Sequence, residues 1–366
     1  MSLLDRPAGV PELPGTPGAP GAPGTSGAAG TAAGTARRGA VGTVVLLALL
    51  GLTVLASLAL GARDVAPADV WAALVSPVPG DNDHLVVREL RLPRTLIGLV
   101  GGAALGAAGA LVQGVTRNPI ADPGLLGINA GASLAVVVAI AALGVGSVGG
   151  YLWFAFAGAA VAALLVHGAA SRGFEGATPV KLALVGAAVT ATCTSLVSVV
   201  LLTDRNTLDE YRFWQVGSLV GRSLPVLATV LPFVLVGLVL ALAAARVLNA
   251  LALGDDVARG LGVDVARGRL LVVVSVVLLC GSAVSLVGPI AFVGLVVPHV
   301  ARLLVGPDHR WTVPLSALAG PVLLLTADVL GRLVAGPAEV EAGLVVAVLG
   351  ATVLLALVRR TRSVAA

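Results

Sequence analysis

The sequence predicts an all-α polytopic membrane protein with about ten transmembrane helices. Hydrophobic residues make up 57% of the 366 residues and charged residues only 11%, a composition that soluble domains do not have. The chain contains a series of apolar runs, most of them near the roughly 20 residues that a helix needs to cross a bilayer. It lacks the alternation of apolar and polar residues expected of barrel strands, which leaves a helical bundle.

The predicted spans follow one another with short connections, and the shortest run supplies a plausible tenth span. Their residues are mainly Leu, Val, Ala and Gly, with 3% aromatics in the chain, so we expect helices to pack closely through small residues. In chain order the runs are 41–61, 95–115, 124–144, 150–170, 179–202, 224–246, 270–290, 291–305, 312–334 and 343–358.

The chain ends flank a predicted permease domain at 40–360. Residues 1–39 are rich in Pro, Gly and Ala, with a short glycine repeat, and predict a disordered cytoplasmic tail because they offer little apolar surface to bury. Arg37-Arg38 before the first run could belong to a twin-arginine export signal, but that run is too long for one and predicts an uncleaved first span. Residues 361–366 form the predicted C-terminal tail.

The distribution of basic residues predicts that both termini are cytoplasmic. With ten spans, segments on the side of the termini carry fifteen of the 23 Lys and Arg residues. The two cysteines and four histidines are scattered and have no metal-ligand spacing, so no metal site is predicted. Nothing in the sequence indicates a nucleic-acid partner.

A stretch rich in helix breakers, RNPIADPGLLGINAGAS at 117–133, is echoed later in the chain. Pro119-Ile120-Ala121-x-x-Gly124-Leu125 follows the second span, and Pro289-Ile290-Ala291-x-x-Gly294-Leu295 follows the seventh. Because five spans separate the copies, they would face opposite sides, as in the inverted repeats of transporters with broken helices. The alternative is a chance match, because so few residue types make up most of this chain.

The sequence offers little to power transport by itself. Most runs contain no charged residue that could carry protons across the membrane, which disfavours proton-driven transport. Coupling to sodium ions bound by backbone carbonyl groups is the alternative. The single lysine, Lys181, lies in ATPVKLAL and not in a Walker A phosphate-binding loop, so the chain is predicted not to be an enzyme. Energy for active transport is therefore expected from a separate subunit.

Two long segments, RLPRTLIGLVGGAALGAAGALVQGVTRNPIADPGLLGINAGAS and GPIAFVGLVVPHVARLLVGPDHRWTVPLSALAGPVLLLTADVLGR, resemble the signature regions of the FecCD family. This family comprises ABC-importer permeases for iron-siderophores, haem and vitamin B12, and the resemblance covers about 41–360. It implies the type II ABC importer permease fold, with spans 2–5 and 7–10 related by inversion, in the cytoplasmic membrane. The implied partners are a second permease subunit, two cytoplasmic ATPases that bind ATP and Mg, and an external substrate-binding protein. No cofactor is implied in this chain.

The resemblance also assigns roles to residues at both ends of the bundle. Arg91, Arg94 and Arg332 resemble docking arginines for the binding protein and are expected to be exposed cations on the outer face. The alternatives are that they reach lipid headgroups or that Arg332 pairs with Asp328. On the cytoplasmic side, Asn118, Pro119, Ile120 and Thr178 are candidates for a turn that also forms the inner gate; the alternative is a turn that merely ends a helix.

The loop at 248–270 resembles the family's ATPase-coupling loop, with a solvated loop as the alternative. We expect Asp255 to cap a short helix, Gly260 and Gly262 to end it, and a second helix to begin at Asp264. Asp256 and Arg259 complete the candidate contact residues.

Two features concern the pathway and the subunit pairing. Thr190, Thr194 and Ser198 lie at helical spacing on span five and are pathway candidates, unless their hydroxyls merely bond the preceding turn. In span ten, Glu341 and Thr352 replace prolines common in relatives, so we expect an unkinked helix and favour a non-identical permease partner over a homodimer.

Together these features predict the permease subunit of an ABC importer for an iron-siderophore-type chelate. The alternatives are a gradient-driven secondary transporter and a membrane receptor that binds without transporting.

Overall fold

The computed structural model describes residues 25–61, 64–172, 178–334 and 339–364, and every regular element within these ranges is helical. A π-helical turn at Val86–Arg91 runs directly into a long helix, and a 3-10 turn lies at Pro123–Leu126. The α-helices are α1 Thr25–Ala59, α2 Pro67–Val75, α3 Asn82–Leu85, α4 Leu92–Thr116, α5 Ile128–Leu143, α6 Val148–Ala170, α7 Pro179–Thr203, α8 Arg205–Gln215, α9 Leu224–Ala252, α10 Asp255–Gly260, α11 Val265–Val287, α12 Val293–Val305, α13 His309–Val334 and α14 Ala342–Val364.

The predicted fold class is confirmed. Within the described ranges, seven helices are long and apolar enough to cross a membrane, and α5, α12 and α14 are shorter apolar helices, which together match the ten predicted spans. The short helix α2 lies shortly before the start of α4, whereas Asp255 of α10 pairs with Arg117 at the end of α4. The helices α2 and α10 therefore mark opposite ends of the bundle. We refer to these as the α2 end and the α10 end.

Both predicted tails are shorter than expected. α1 begins at Thr25, so the prediction of disorder is wrong for residues 25–39, whereas residues 1–24 lie outside the described part of the chain. Two observations explain the helix: alanine, the best helix former, is frequent between 28 and 40, and Gly39 packs directly against the Trp311 ring of α13. At the other terminus, α14 continues to Val364, so residues 361–364 of the predicted C-terminal tail are helical.

The two echoed segments occupy corresponding places in the fold. The first follows α4 and precedes the 16-residue helix α5, and the second follows α11 and precedes the 13-residue helix α12. The predicted span at 124–144 therefore starts as a 3-10 turn, and its helix begins only at Ile128, because Gly127 adopts a left-handed conformation with a φ of 71°. Each half of the molecule thus contains one long helix, a break and one short helix, as expected of broken-helix repeats.

The two breaks meet inside the bundle. The Asp122 carboxylate accepts a hydrogen bond from the backbone N–H of Phe292, at the start of α12. From α4, the Gln113 amide donates to the carbonyls of Gly294 and Leu295 at 3.1 and 3.2 Å. Backbone groups freed by a break cannot find water in a bilayer, so protein partners must replace it. These contacts therefore allow both breaks to lie between packed helices.

Small residues bring the central helices into close contact, as the composition predicts. Gly102 and Gly106 of α4 face Gly320 of α13, and a Cβ at any of the three would overlap backbone atoms of the opposite helix. Such close approach increases van der Waals contact, which is the main attraction between helices where no water is expelled.

Candidate functional site

The three candidate docking arginines lie at the α2 end, but they are not the exposed cations that we expected. Arg91 is 6% exposed and Arg332 is 4% exposed. The Arg94 side chain is 11% exposed. The prediction of exposure is wrong because each guanidinium has partners within the chain.

Arg91 and Arg332 bind the last turn of α1. Arg91 Nη1 donates to the carbonyls of Leu58 and Ala59, both at 2.7 Å. Arg332 Nη1 donates to the carbonyls of Ser57 and Leu60, both at 3.0 Å. The last carbonyls of a helix have no partner in their own helix and form the negative end of its dipole. Two guanidiniums therefore satisfy the end of α1 where it meets α4 and α13.

Arg94 and Arg332 share one buried acid. Arg94 contacts Asp328 in a forked arrangement, with Nε–Oδ1 at 2.9 Å and Nη2–Oδ1 at 2.7 Å, and Arg332 Nη2 lies 3.0 Å from Asp328 Oδ2. The Asp328 residue is completely buried. Arg94 Nη1 also lies 2.6 Å from Glu339 Oε2, whose side chain is one-third exposed. The Arg332–Asp328 pair that the sequence left as an alternative is therefore present.

A cavity of about 420 Å³ opens beside this cluster and contains a cation that sequence reasoning missed. Arg222, in the loop before α9, lines the cavity, and its buried Nε has no hydrogen-bond partner among the residues that the structure describes. A signal was available, since Arg222 is another basic residue in a segment that the distribution of basic residues predicts to lie on the outer side. The charged residues that line the cavity are Glu89, Arg91, Arg94, Arg222, Arg332 and Glu339.

At the α10 end, the candidate gate residues form a compact turn. Asn118 Oδ1 accepts a hydrogen bond from the Ile120 backbone N–H at 3.1 Å, which closes the turn after α4. The Pro119 carbonyl accepts a bond from Arg302 Nη2 at 3.4 Å. The Thr178 hydroxyl caps α7 by accepting the Lys181 N–H at 3.3 Å. The first turns of α7 and Asn118 line one groove of about 350 Å³, so the structure brings the turn and the start of α7 together.

The candidate coupling loop at 248–270 contains the last residues of α9, one short helix, α10, and the beginning of α11. Asp264 caps α11 by accepting the Arg267 N–H at 3.0 Å, as expected. The expectation for Asp255 is wrong, because it lies in the first turn of α10 and makes no cap hydrogen bond. The chain leaves α10 after Gly260, and Gly262 takes a φ of 80° that favours glycine. The second helix is therefore the spanning helix α11 itself.

Asp255 instead connects three segments through ion pairs. Its Oδ1 lies 2.6 Å from Arg117 Nη2, and its Oδ2 lies 2.9 Å from Arg269 Nη2. Partial burial opposes ionisation, but the two guanidiniums outweigh it and hold the pKa of Asp255 below its ordinary value. Asp256 and Arg259 form a separate pair at 2.7 Å on the exposed side of α10. One side of α10 thus contacts the bundle, and the other presents charges to solvent.

The candidate pathway hydroxyls lie on a side of α7 that this chain does not cover. Only Leu182, Gly186 and Val197 of α7 are buried, whereas Thr194 and Ser198 are exposed. Thr190, at the edge of this side, is half-buried. The Ser198 hydroxyl donates to the Thr194 carbonyl at 2.9 Å, which is the bond to the preceding turn that we considered as the alternative.

A helical bundle with two broken-helix repeats that meet at its centre is the architecture of a membrane transport permease. The chain belongs to the FecCD transport family, whose model matches residues 48–360. It is 49% identical over 304 residues to the ferric enterobactin transport system permease protein FepD of Escherichia coli (strain K12), covering 83% of this chain and 90% of FepD. It is 40% identical over 307 residues to the iron(3+)-hydroxamate import system permease protein FhuB of Bacillus subtilis (strain 168), covering 84% of this chain and 79% of FhuB.

A solved structure extends the likeness to three dimensions. An inward-facing metal-chelate type ABC transporter superposes with a TM-score of 0.77 at 28% identity, covering 87% of this chain and 98% of that chain. The predicted family resemblance and the predicted fold are therefore confirmed.

Proposed function

We propose that this chain is the membrane-spanning permease subunit of an ABC importer that takes up an iron-siderophore-type chelate. The observation that carries the proposal is the similarity to FepD, which extends over 83% of this chain and so includes both ends of the bundle. A metal-chelate type transporter with the same fold supports the same class of substrate. Fold and sequence agree in pointing to import of a chelate.

The α10 end faces the cytoplasm and receives the ATPases. Both termini lie on this side, in the cytoplasmic membrane, and the ATP and Mg that power transport are bound by two separate ATPase subunits. The exposed Asp256–Arg259 pair on α10 offers a polar contact surface, while Asp255 ties the same helix to the bundle. We assign ATP and Mg to the partner subunits and no cofactor to this chain.

The α2 end receives the substrate-binding protein through the arginine-lined cavity. Because Arg91 and Arg332 hold the end of α1, their contribution is mainly to position neighbouring groups. Arg94 and Arg222 are the guanidiniums that we assign to a carboxylate of the binding protein. Four arginines and two glutamates line the cavity, so basic side chains outnumber acidic ones on the surface that would meet an acidic partner.

A second permease subunit covers the exposed side of α7, and the chelate passes between the two subunits. Exposed hydroxyls at Thr194 and Ser198 give this side a weakly polar surface, whereas the exposed residues in the middle of α9, between Thr229 and Arg246, are apolar. α14 is continuous from Ala342 to Val364, and the Thr352 hydroxyl donates to the Val348 carbonyl at 2.9 Å. This unkinked helix favours a non-identical permease partner over a homodimer.

Transport by reconstituted complexes tests the proposal against its alternatives. The chain is purified with its associated subunits, placed in vesicles with the binding protein, and supplied with ferric siderophores of the catecholate, hydroxamate and citrate types. We expect chelate uptake that requires ATP and persists when ionophores remove ion gradients. Uptake abolished by ionophores but independent of ATP would indicate a secondary transporter. Binding without uptake, in a complex that contains no ATPase, would indicate a receptor.

A further inference from the structure

An open groove runs between α1 and α12 at the α10 end, away from the sites described above. It has a volume of about 540 Å³. All but one of its lining residues come from α1, where they recur every three or four residues and so form one face of the helix. The lining residues are Gly34, Arg37, Arg38, Val41, Gly42, Val45 and Leu304.

The groove is lined by two exposed cations. Arg37 and Arg38 are both exposed, and within the described ranges neither guanidinium has an ion pair or a hydrogen bond. By contrast, Arg117 and Arg269 at the same end are both paired with Asp255. Two adjacent guanidinium forks present several donors to one anion, and their geometry suits the oxygens of a phosphate.

The rest of the groove is apolar and has room for a chain. Val41, Val45 and Leu304 are between 43% and 56% exposed. A Cβ at Gly42 would be in ordinary van der Waals contact with side-chain carbons of Leu315 and Leu304, at 3.8 and 4.0 Å, so the glycine leaves room for about one methyl group at the floor of the groove. The seven steps from Arg38 to Val45 span about 10 Å along the helix axis.

The depth of the arginines matches a membrane interface. Gly39, the next residue on α1, packs against Trp311 at the start of α13. Tryptophan is enriched at the level of lipid headgroups, and arginine near the end of a spanning helix reaches the same level. Arg37 and Arg38 therefore lie where phosphates of the leaflet are found, and the apolar part of the groove continues toward the acyl region.

We propose that this groove binds an anionic phospholipid of the leaflet at the α10 end. Its phosphate lies between Arg37 and Arg38, and the first part of one acyl chain lies along Val41, Gly42, Val45 and Leu304. The combination of two unpaired cations with an apolar slot fits an amphipathic anion better than a soluble one. The bound lipid would fill the space between α1 and α12 and so help to hold α1 on the bundle. The proposal requires only that the bundle crosses a membrane, and not the proposed transport function.

Lipid retention by the purified full chain tests the headgroup contact. The protein is exchanged into an equimolar mixture of phosphatidylglycerol and phosphatidylcholine with identical acyl chains, and the bound lipid is measured by native mass spectrometry. We expect preferential retention of phosphatidylglycerol. In Arg37→Gln/Arg38→Gln this preference should fall about fivefold for each arginine, the factor that corresponds to the usual attraction of one basic residue to an anionic lipid surface. Arg172→Gln, which removes an exposed arginine at the same end just after α6, is the control and should retain the preference.

A second pair of variants tests the acyl contact without changing charge. Val45→Phe should fill the groove and lower phosphatidylglycerol retention severalfold, whereas Val44→Phe, an exposed position on α1 outside the groove, should not. Equal retention of the two lipids by the wild type would overturn the proposal. Unchanged phosphatidylglycerol retention in the double arginine variant would also overturn the proposal. It would mean that Arg37 and Arg38 only help to set the orientation of the protein in the membrane. If Val45→Phe leaves phosphatidylglycerol retention unchanged, the phosphate is bound without an acyl chain in the groove, and the proposal is overturned.

Discussion

Arg117 Nη2 lies 2.6 Å from Asp255 Oδ1, so one ion pair joins the turn after α4 to the short helix α10. The turn contributes Asn118 to a groove beside α7, whereas α10 presents Asp256 and Arg259 to solvent. Arg269, at the start of α11, holds the other oxygen of the same carboxylate. Displacement of α10 by an ATPase would therefore be passed to the turn through this ion pair, and to α11 through Arg269 and the short connecting chain. In the proposed function, Asp255 is the connection between ATP-driven motion and the inner gate.

Loss of this ion pair is expected to reduce transport per ATP hydrolysed. Arg117→Gln and Asp255→Asn should each lower the ratio of chelate imported to ATP consumed severalfold, with normal ATPase co-purification. Because the two residues act through one contact, the double variant should be little worse than Asp255→Asn alone. The measurement is uptake and hydrolysis in the same vesicles. Additive losses in the double variant would mean that the pair does not carry the coupling.

The charge pattern on the exposed side of α10 should determine ATPase binding. Asp256→Arg/Arg259→Asp keeps an ion pair three residues apart but reverses its direction, and we expect weaker co-purification of the ATPase with the bundle still inserted. Asp209→Arg/Arg212→Asp reverses an equivalent pair on α8 at the opposite end and serves as the control. Equal ATPase recovery with both variants would argue against contact at α10.

Arg222 should contribute to binding-protein association through its charge. Arg222→Glu is expected to weaken association severalfold, chiefly by slowing encounter, and the wild-type affinity should fall with added salt. Arg205→Glu changes an exposed arginine at the same end, outside the cavity, and should have the smaller effect. Association is measured with the detergent-solubilised complex across a salt series. If both variants bind alike at low salt, docking does not use this cavity.

Asp328 should be important for stability because it is completely buried and neutralises two arginines. Asp328→Asn leaves both guanidiniums without this counter-charge, and breaking a buried pair in this way costs about 3–5 kcal/mol. Glu339→Gln changes a partly exposed partner of Arg94 and should cost about 1 kcal/mol or less. Thermal unfolding of the purified chain in detergent compares the two. A loss for Asp328→Asn no larger than that for Glu339→Gln would contradict the role of the buried acid.

The lowered pKa of Asp255 predicts a specific loss at acid pH. Since its folded-state pKa lies below the ordinary 3.8, its ion pairs stabilise the protein fully above that pH, and this contribution is lost as the pH falls through the folded-state value. Between neutral pH and pH 3 the wild type should therefore lose more thermal stability than Asp255→Asn, which has no such group to protonate. Parallel losses in the two proteins would show that Asp255 contributes no pH-dependent stability.

The sequence by itself determined the class of protein, the ten apolar helices and the two breaks that relate its halves. These features follow from local rules, because a spanning helix must satisfy its own backbone over about 20 apolar residues, and clustered Pro and Gly interrupt it. The sequence did not predict that the first helix begins at Thr25. Residues 25–39 have little apolar surface, and nothing local indicates that Gly39 packs on Trp311.

Only the tertiary structure decided which charges meet. Asp328 lies 234 residues after Arg94, and the Ser57 carbonyl that binds Arg332 lies 275 residues before it. No local pattern in either region indicates the other, so the sequence predicted exposed arginines where the fold buries paired ones. The same holds for Asp255. Its position in the sequence predicted a helix cap, but in the fold it pairs with Arg117 and Arg269 and so connects separate segments. Long-range ion pairs depend on how helices are arranged, and that arrangement is a property of packing rather than of any one stretch of residues.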